Sequence, residues 1–129
     1  MQTISVVIGD APATLVSQRV PRGTTYKLAI QVKDENGDNL DLTGATVIFA
    51  VKATPEVNNF LIRKSLNGTG ESDFPNGKIV IEVIPSDTEL ITAGWYYWGI
   101  SVKQGSGEIN ELARGDFTLY ESVATAPVN

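Results

Sequence analysis

Apolar and polar residues alternate with a period of two along several stretches of this chain. Tyr26, Leu28, Ile30 and Val32 alternate with Lys27, Ala29, Gln31 and Lys33. That is the pattern of a strand with one buried face. Val47, Phe49 and Val51 repeat it, as do Ile79, Ile81 and Val83, with Lys78 and Glu82 on the outer side. Tyr96, Trp98, Ile100 and Val102 form a fourth set, and Phe117 with Leu119 a fifth. Weaker stretches over 3–8, 14–20, 60–64 and 108–113 raise the expected number of strands to eight or nine.

Turn residues separate these stretches. Pro21-Arg22-Gly23 precedes the Tyr26 set, and Asp34-Glu35-Asn36-Gly37-Asp38 follows it. Asn-Gly favours a tight turn because both residues tolerate positive φ. Asn67-Gly68-Thr69-Gly70 and Pro75-Asn76-Gly77 bracket a polar loop, and Gln104-Gly105-Ser106-Gly107 reads as a hairpin. One helical turn is expected over Ser86–Ile91, with Ser86 as N-cap and Glu89 reaching back to it, crossing between two sheets. Many short strands and no long helical period predict an all-β fold, an antiparallel β-sandwich with at most one short helical turn. Residues 1–122 are expected to form one domain and 123–129 a C-terminal tail or arm, since alternation ceases there.

Composition removes several function classes. The 129 residues include no cysteine and no histidine. Thiol nucleophiles, disulfides, a serine–histidine pair and zinc sites built on thiolate or imidazole are therefore excluded. Ten Lys and Arg against fifteen Asp and Glu give a formal charge of −5. That balance argues against nucleic-acid binding, which needs clustered cations. No apolar run approaches the ~20 residues of a membrane span. Met1-Gln2-Thr3-Ile4-Ser5 lacks the basic and apolar regions of a secretory signal, so none is expected.

Four local features invite a chemical reading. Asp34–Asn39 carries alternate carboxylates, but an EF-hand loop places Gly at its sixth position and Glu at its twelfth, where this chain has Asn39 and Ala45. A polar hairpin turn is the plainer reading. Arg114-Gly115-Asp116 matches an adhesion tripeptide, although Gly115 is equally explained by a turn before Phe117. Asp41, Asp73, Asp87 and Asp116 sit mostly in expected turns, whereas a glycosidase needs two carboxyls about 5–10 Å apart across a cleft. No nucleophile, base and orienting group can be named together, so no catalytic residues, metal or cofactor are expected. Trp95-Tyr96-Tyr97-Trp98 stands out most. Successive strand residues face opposite ways. With Tyr96 and Trp98 in the core, Trp95 and Tyr97 face outward, where aromatics anchor interfaces or stack on sugar rings.

The order of motifs carries a resemblance. Tyr26-x-Leu28-x-Ile30 leads through Val32-Lys33-Asp34-Glu35-Asn36-Gly37-Asp38 to Leu40-Asp41-Leu42-Thr43-Gly44-Ala45-Thr46-Val47. Gly77-Lys78-Ile79, Asp87-Thr88-Glu89-Leu90, Gly94-Trp95-Tyr96-Tyr97 and Gly115-Asp116-Phe117-Thr118-Leu119 follow. Over residues 15–122 this series resembles the immunoglobulin-like N-terminal domain of phage baseplate upper proteins and related small tail proteins. The motifs have folding roles: Leu40 and Leu42 plug one end of the sandwich while Asp41 faces solvent.

The resemblance implies an immunoglobulin-like sandwich in a non-enzymatic virion structural protein of a tailed phage. Baseplate upper proteins carry further segments after the sandwich, whereas this sequence runs to Asn129. The expected role is therefore an adaptor at the tail tip, baseplate or fibre attachment. It would contact other phage structural proteins and form a homo-oligomer in the virion. Trp95, Tyr97, Val123 and Val128 are the expected interface residues. Capsid decoration or a head fibre is one alternative. A carbohydrate-binding module that stacks a glycan on Trp95 and Tyr97 is another.

Overall fold

In the computed structural model, which describes residues 2–9, 17–68 and 70–123, the alternating stretches form eight strands. These are β1 (Gln2–Val7), β2 (Gln18–Pro21), β3 (Tyr26–Lys33), β4 (Thr46–Lys52), β5 (Ile62–Leu66), β6 (Lys78–Val83), β7 (Gly94–Lys103) and β8 (Ile109–Tyr120). A 3-10 turn spans Phe74–Asn76, and one helical turn, α1, spans Pro85–Thr88. The strands form a three-stranded sheet, β1-β3-β6, and a five-stranded sheet, β2-β8-β7-β4-β5.

The inner faces are the apolar sets read from the sequence. Leu28, Ile30, Val32, Ile79, Ile81 and Val83 from one sheet meet Val47, Phe49, Val51, Trp98, Ile100, Val102, Phe117 and Leu119 from the other in a single core. Leu42 closes one end of it and is 1% exposed, with Leu40 packed beside it. Asp41 between them is exposed. Its carboxylate accepts from the Thr43 hydroxyl and the Thr43 N–H. Those bonds hold its carboxyl below the ordinary aspartate range, the hydroxyl contributing most.

Two of the six strand pairings are parallel, β1–β3 and β2–β8, and four are antiparallel. Alternation is the same in either direction, so the pattern shows which face is buried and not the pairing sense. Both parallel pairs join strands well separated in the chain, as parallel pairing needs a long crossover.

Other boundaries moved for identifiable reasons. The stretches at 108–113 and 117–119 are one twelve-residue strand. Its register shifts opposite Ile100/Ser101, so that Leu112 and Ala113 are both buried. The bulge breaks the period-two count and makes one strand look like two. Gly115 is therefore no turn residue: it pairs with Trp98 in mid-strand. The strand expected over 60–64 begins at Ile62, the first side chain there to enter the core. Of the stretch 14–20, residues 14–16 lie outside the described residues, and β2 occupies Gln18–Pro21.

The crossing turn lies between the sheets as expected, but earlier and shorter. Pro85, with its fixed φ, takes the first helical position and displaces the expected Ser86 cap. Asp87, not Glu89, reaches back: its Oδ2 accepts the Ile84 N–H at 2.8 Å. The same oxygen lies 2.7 Å from Lys64 Nζ on β5, with both side chains mostly shielded. One carboxylate thus caps the crossover and ties it to the larger sheet. Asp87→Ala is expected to cost about 1–2 kcal/mol, most of it from the cap. Lys64→Met should cost under ~1 kcal/mol. Urea denaturation of the two variants checks the ranking, and equal losses would assign the effect to the ion pair.

Candidate functional site

Strands β8, β7 and β4 occupy the middle of the five-stranded sheet. Because their inward residues fill the core, the alternate residues form the outer face. Register places them in three rows. Tyr97 lies between Lys52 and Asp116, Gly99 between Ala50 and Arg114, and Ser101 between Ile48 and Glu111. The small side chains at the centre leave a depression of about 470 Å3, and Pro55 and Phe60 from the β4–β5 loop complete its wall. Phe60 is held by two cations, Lys52 Nζ at 4.9 Å and the Arg63 guanidinium at 5.7 Å from the ring centre. Arg114 and Glu111 lie 3.6 Å apart and are both exposed, a pair worth about 0–1 kcal/mol.

Trp95 lies one row beyond Tyr97, opposite Thr118. It is 85% exposed and Tyr97 42%, while Trp98 in the same strand is 3% exposed. The phase expected for the four aromatics is the one observed: Tyr96 packs against the core and Trp98 enters it. Val123 is fully exposed at the end of the described chain. Val128 lies outside the described residues. The structure thus brings Trp95 and Tyr97 onto one face.

The remaining motifs resolve into local structure. Asp34 Oδ1 accepts from the Asn36 and Asp38 N–H groups at 2.9 and 3.0 Å, so this carboxylate organises its own turn. Among the described residues, no three acidic side chains lie close enough together to hold a metal. Arg114, Gly115 and Asp116 are strand residues, with Arg114 and Asp116 on the rim of the depression. Among the described residues no helix is long and apolar enough to cross a membrane.

The aromatic pair is conspicuous in the sequence, whereas the depression is not. Its centre is marked by small residues, Gly99, Ser101 and Ala50. Alternation puts Gly99 and Ser101 in the phase of Tyr97, but that Ala50 and Ile48 lie beside them follows only from the pairing of β4 with β7.

No protein-family model matches this sequence, and no curated protein does. Solved structures do. The N-terminal domain of phage TP901-1 ORF48 superposes with a TM-score of 0.54 at 15% identity, covering 94% of this chain and 100% of that one. The soluble domain of PmoD from Methylocystis sp. gives 0.45 at 10% identity, over 78% of this chain and 76% of that one. CopC from Methylosinus trichosporium OB3b gives 0.42 at 14% identity over 91% of each. At such identities the likeness to the phage domain is one of fold, and the chain is a β-sandwich of that kind.

Proposed function

We propose that this protein is a non-enzymatic structural component of a tailed-phage virion, placed at the tail tip, baseplate or fibre attachment. The observation that carries the reading is the fold likeness to a phage protein's domain over 94% of this chain and the whole of the other. The motif resemblance to baseplate upper proteins points the same way. In this reading residues 1–122 form the sandwich, 123–129 an arm, and the protein acts by protein–protein contact in a symmetric assembly.

The outward aromatics supply the contact. A tryptophan 85% exposed on a regular strand contributes little to its own fold, and aromatic anchors are what docked interfaces bury. Trp95 and Tyr97, with Val123 and Val128 from the arm, are the residues assigned to it. Repetition around a symmetric assembly multiplies contacts that are weak singly.

Trp95→Ala and Tyr97→Ala are expected to lower incorporation into particles at least tenfold while the purified monomer stays folded. Mass spectrometry of purified virions and circular dichroism of the monomer read the two quantities. Normal incorporation of both variants would remove these residues from the interface. Antibody labelling in the electron microscope tests the location. Label at the tail end supports the reading, label on the head moves the protein to decoration or a head fibre, and particles lacking the protein refute a virion role.

A further inference from the structure

Gly99 lies in the middle of β7, where neither its backbone conformation nor a close neighbour calls for glycine. Its φ lies outside the left-handed region, so its backbone does not demand glycine. A Cβ there would meet only the Ala113 carbonyl oxygen at 3.8 Å, an ordinary contact. The bulge beside it inserts its extra residue on β8, not on β7. Glycine in mid-strand costs stability relative to a β-branched residue, and where no bulge or bend requires it, it marks close approach by something else. At position 99 the missing side chain keeps the floor of the outer-face depression low.

The lining shows what approaches. The depression holds about 470 Å3, within the roughly 300–1,000 Å3 of small-molecule sites. β4, β7 and β8 each have a strand on both sides, so their backbone groups are engaged in the sheet. An extended peptide could add no strand here, and recognition falls to side chains. The charges balance: Lys52 and Arg114 against Glu111 and Asp116. That removes a net field for an anion or a cation, yet leaves strong donors beside strong acceptors. Next to Gly99 stands the half-exposed ring of Tyr97. An apolar ring face beside alternating donors and acceptors matches a molecule with apolar C–H faces and a rim of uncharged hydroxyls.

We infer that this depression binds a neutral oligosaccharide. One sugar ring lies over Gly99 against Tyr97, and Asp116 and Arg114 hydrogen-bond its hydroxyls. The inference shares Tyr97 with the proposed assembly contact and is told apart from it by Gly99, Asp116 and Arg114, which line the depression and have no part in that contact.

The test titrates the full chain with malto-, cello-, xylo-, manno- and chitohexaose, each to about 10 mM, by isothermal calorimetry. Binding of at least one hexaose with a millimolar or lower Kd is expected. Affinity should then fall through the series Gly99→Ala, Gly99→Val and Gly99→Leu, by tenfold or more at valine, with the thermal midpoint unchanged or raised. Asp116→Ala should lower it as well, which keeps the test informative if a larger residue at 99 fails to fold. Binding by none of the five, or binding indifferent to the Gly99 series, overturns the inference. A protein partner retained by the wild type and lost in Gly99→Val, with no sugar bound, would reassign the depression to a protein contact. Gly99→Val protein is expected in virions at wild-type level, so failure here and failure of the assembly reading give different results.

Discussion

Replacing Gly77 by alanine is expected to destabilise this protein by about 3–4 kcal/mol, lowering Tm by roughly 10–15 °C. Gly77 has φ 73° and ends the 3-10 turn Phe74–Asn76. A left-handed conformation alone costs a non-glycine residue about 1–2 kcal/mol. Here a Cβ would also stand 2.5 Å from the Val32 carbonyl oxygen and 2.7 Å from that of Leu40. Both are backbone atoms, so relief requires moving the chain. The chain at that point is tightly bonded: the Val32 N–H donates to the Gly77 oxygen at 2.9 Å, and the Leu40 N–H to the Val32 oxygen at 3.0 Å. The Leu42 N–H donates to the Phe74 oxygen at 2.7 Å, seating the plug that closes the core. Gly37 is the internal control. It has φ 85° but nothing within 4 Å of a Cβ, so Gly37→Ala should cost only the conformational part, about 1–2 kcal/mol. Denaturant unfolding of the two variants measures the difference. Equal losses would show that φ alone is responsible and that the segment 73–77 yields readily.

The Gly77 turn also shows what the sequence could and could not reveal. Pro75-Asn76-Gly77 marks a turn by composition, and the turn is there. Its docking against Val32 and Leu40 is invisible in the sequence, because it depends on residues over thirty positions away. The same division runs through the fold. Inward positions of β3, β4, β6 and β7 are legible because burial imposes period two on residues that share a strand. Strand partners are not legible, since alternation carries no direction; hence the parallel seats of β1 and β2 came only with the structure. The Leu112 bulge made β8 read as two strands by changing the period within it. Asp87 rather than Glu89 caps the crossover because Pro85 fixed the start of the turn. At the candidate site, aromatic residues were legible by type and facing. The depression beside them was not, because it consists of what is missing between three strands brought together by non-local pairing.

Trp95 and Trp98 lie three positions apart on β7, and their replacement by alanine is expected to have opposite consequences. Trp98 is 3% exposed and packs against Phe49, ring centres 6.1 Å apart. Trp98→Ala removes a large buried side chain from between two sheets whose backbones cannot close the gap, and is expected to cost about 3–5 kcal/mol. Trp98→Phe keeps a ring against Phe49 and should lose less than half as much. Trp95→Ala should change stability by less than ~0.5 kcal/mol, because most of that ring already faces water. Fluorescence distinguishes the two indoles, as these are the chain's two tryptophans. Removing Trp95 should shift native emission to the blue by deleting the solvated indole, and removing Trp98 should leave red-shifted emission. The contrast bears on function. A residue that contributes several kcal/mol to folding can be retained for that reason alone, whereas an exposed indole with almost no folding role is left available for the proposed assembly contact. Should Trp95→Ala prove as destabilising as Trp98→Ala, Trp95 would be a folding residue, and the assembly contact would pass to Tyr97 and the C-terminal arm.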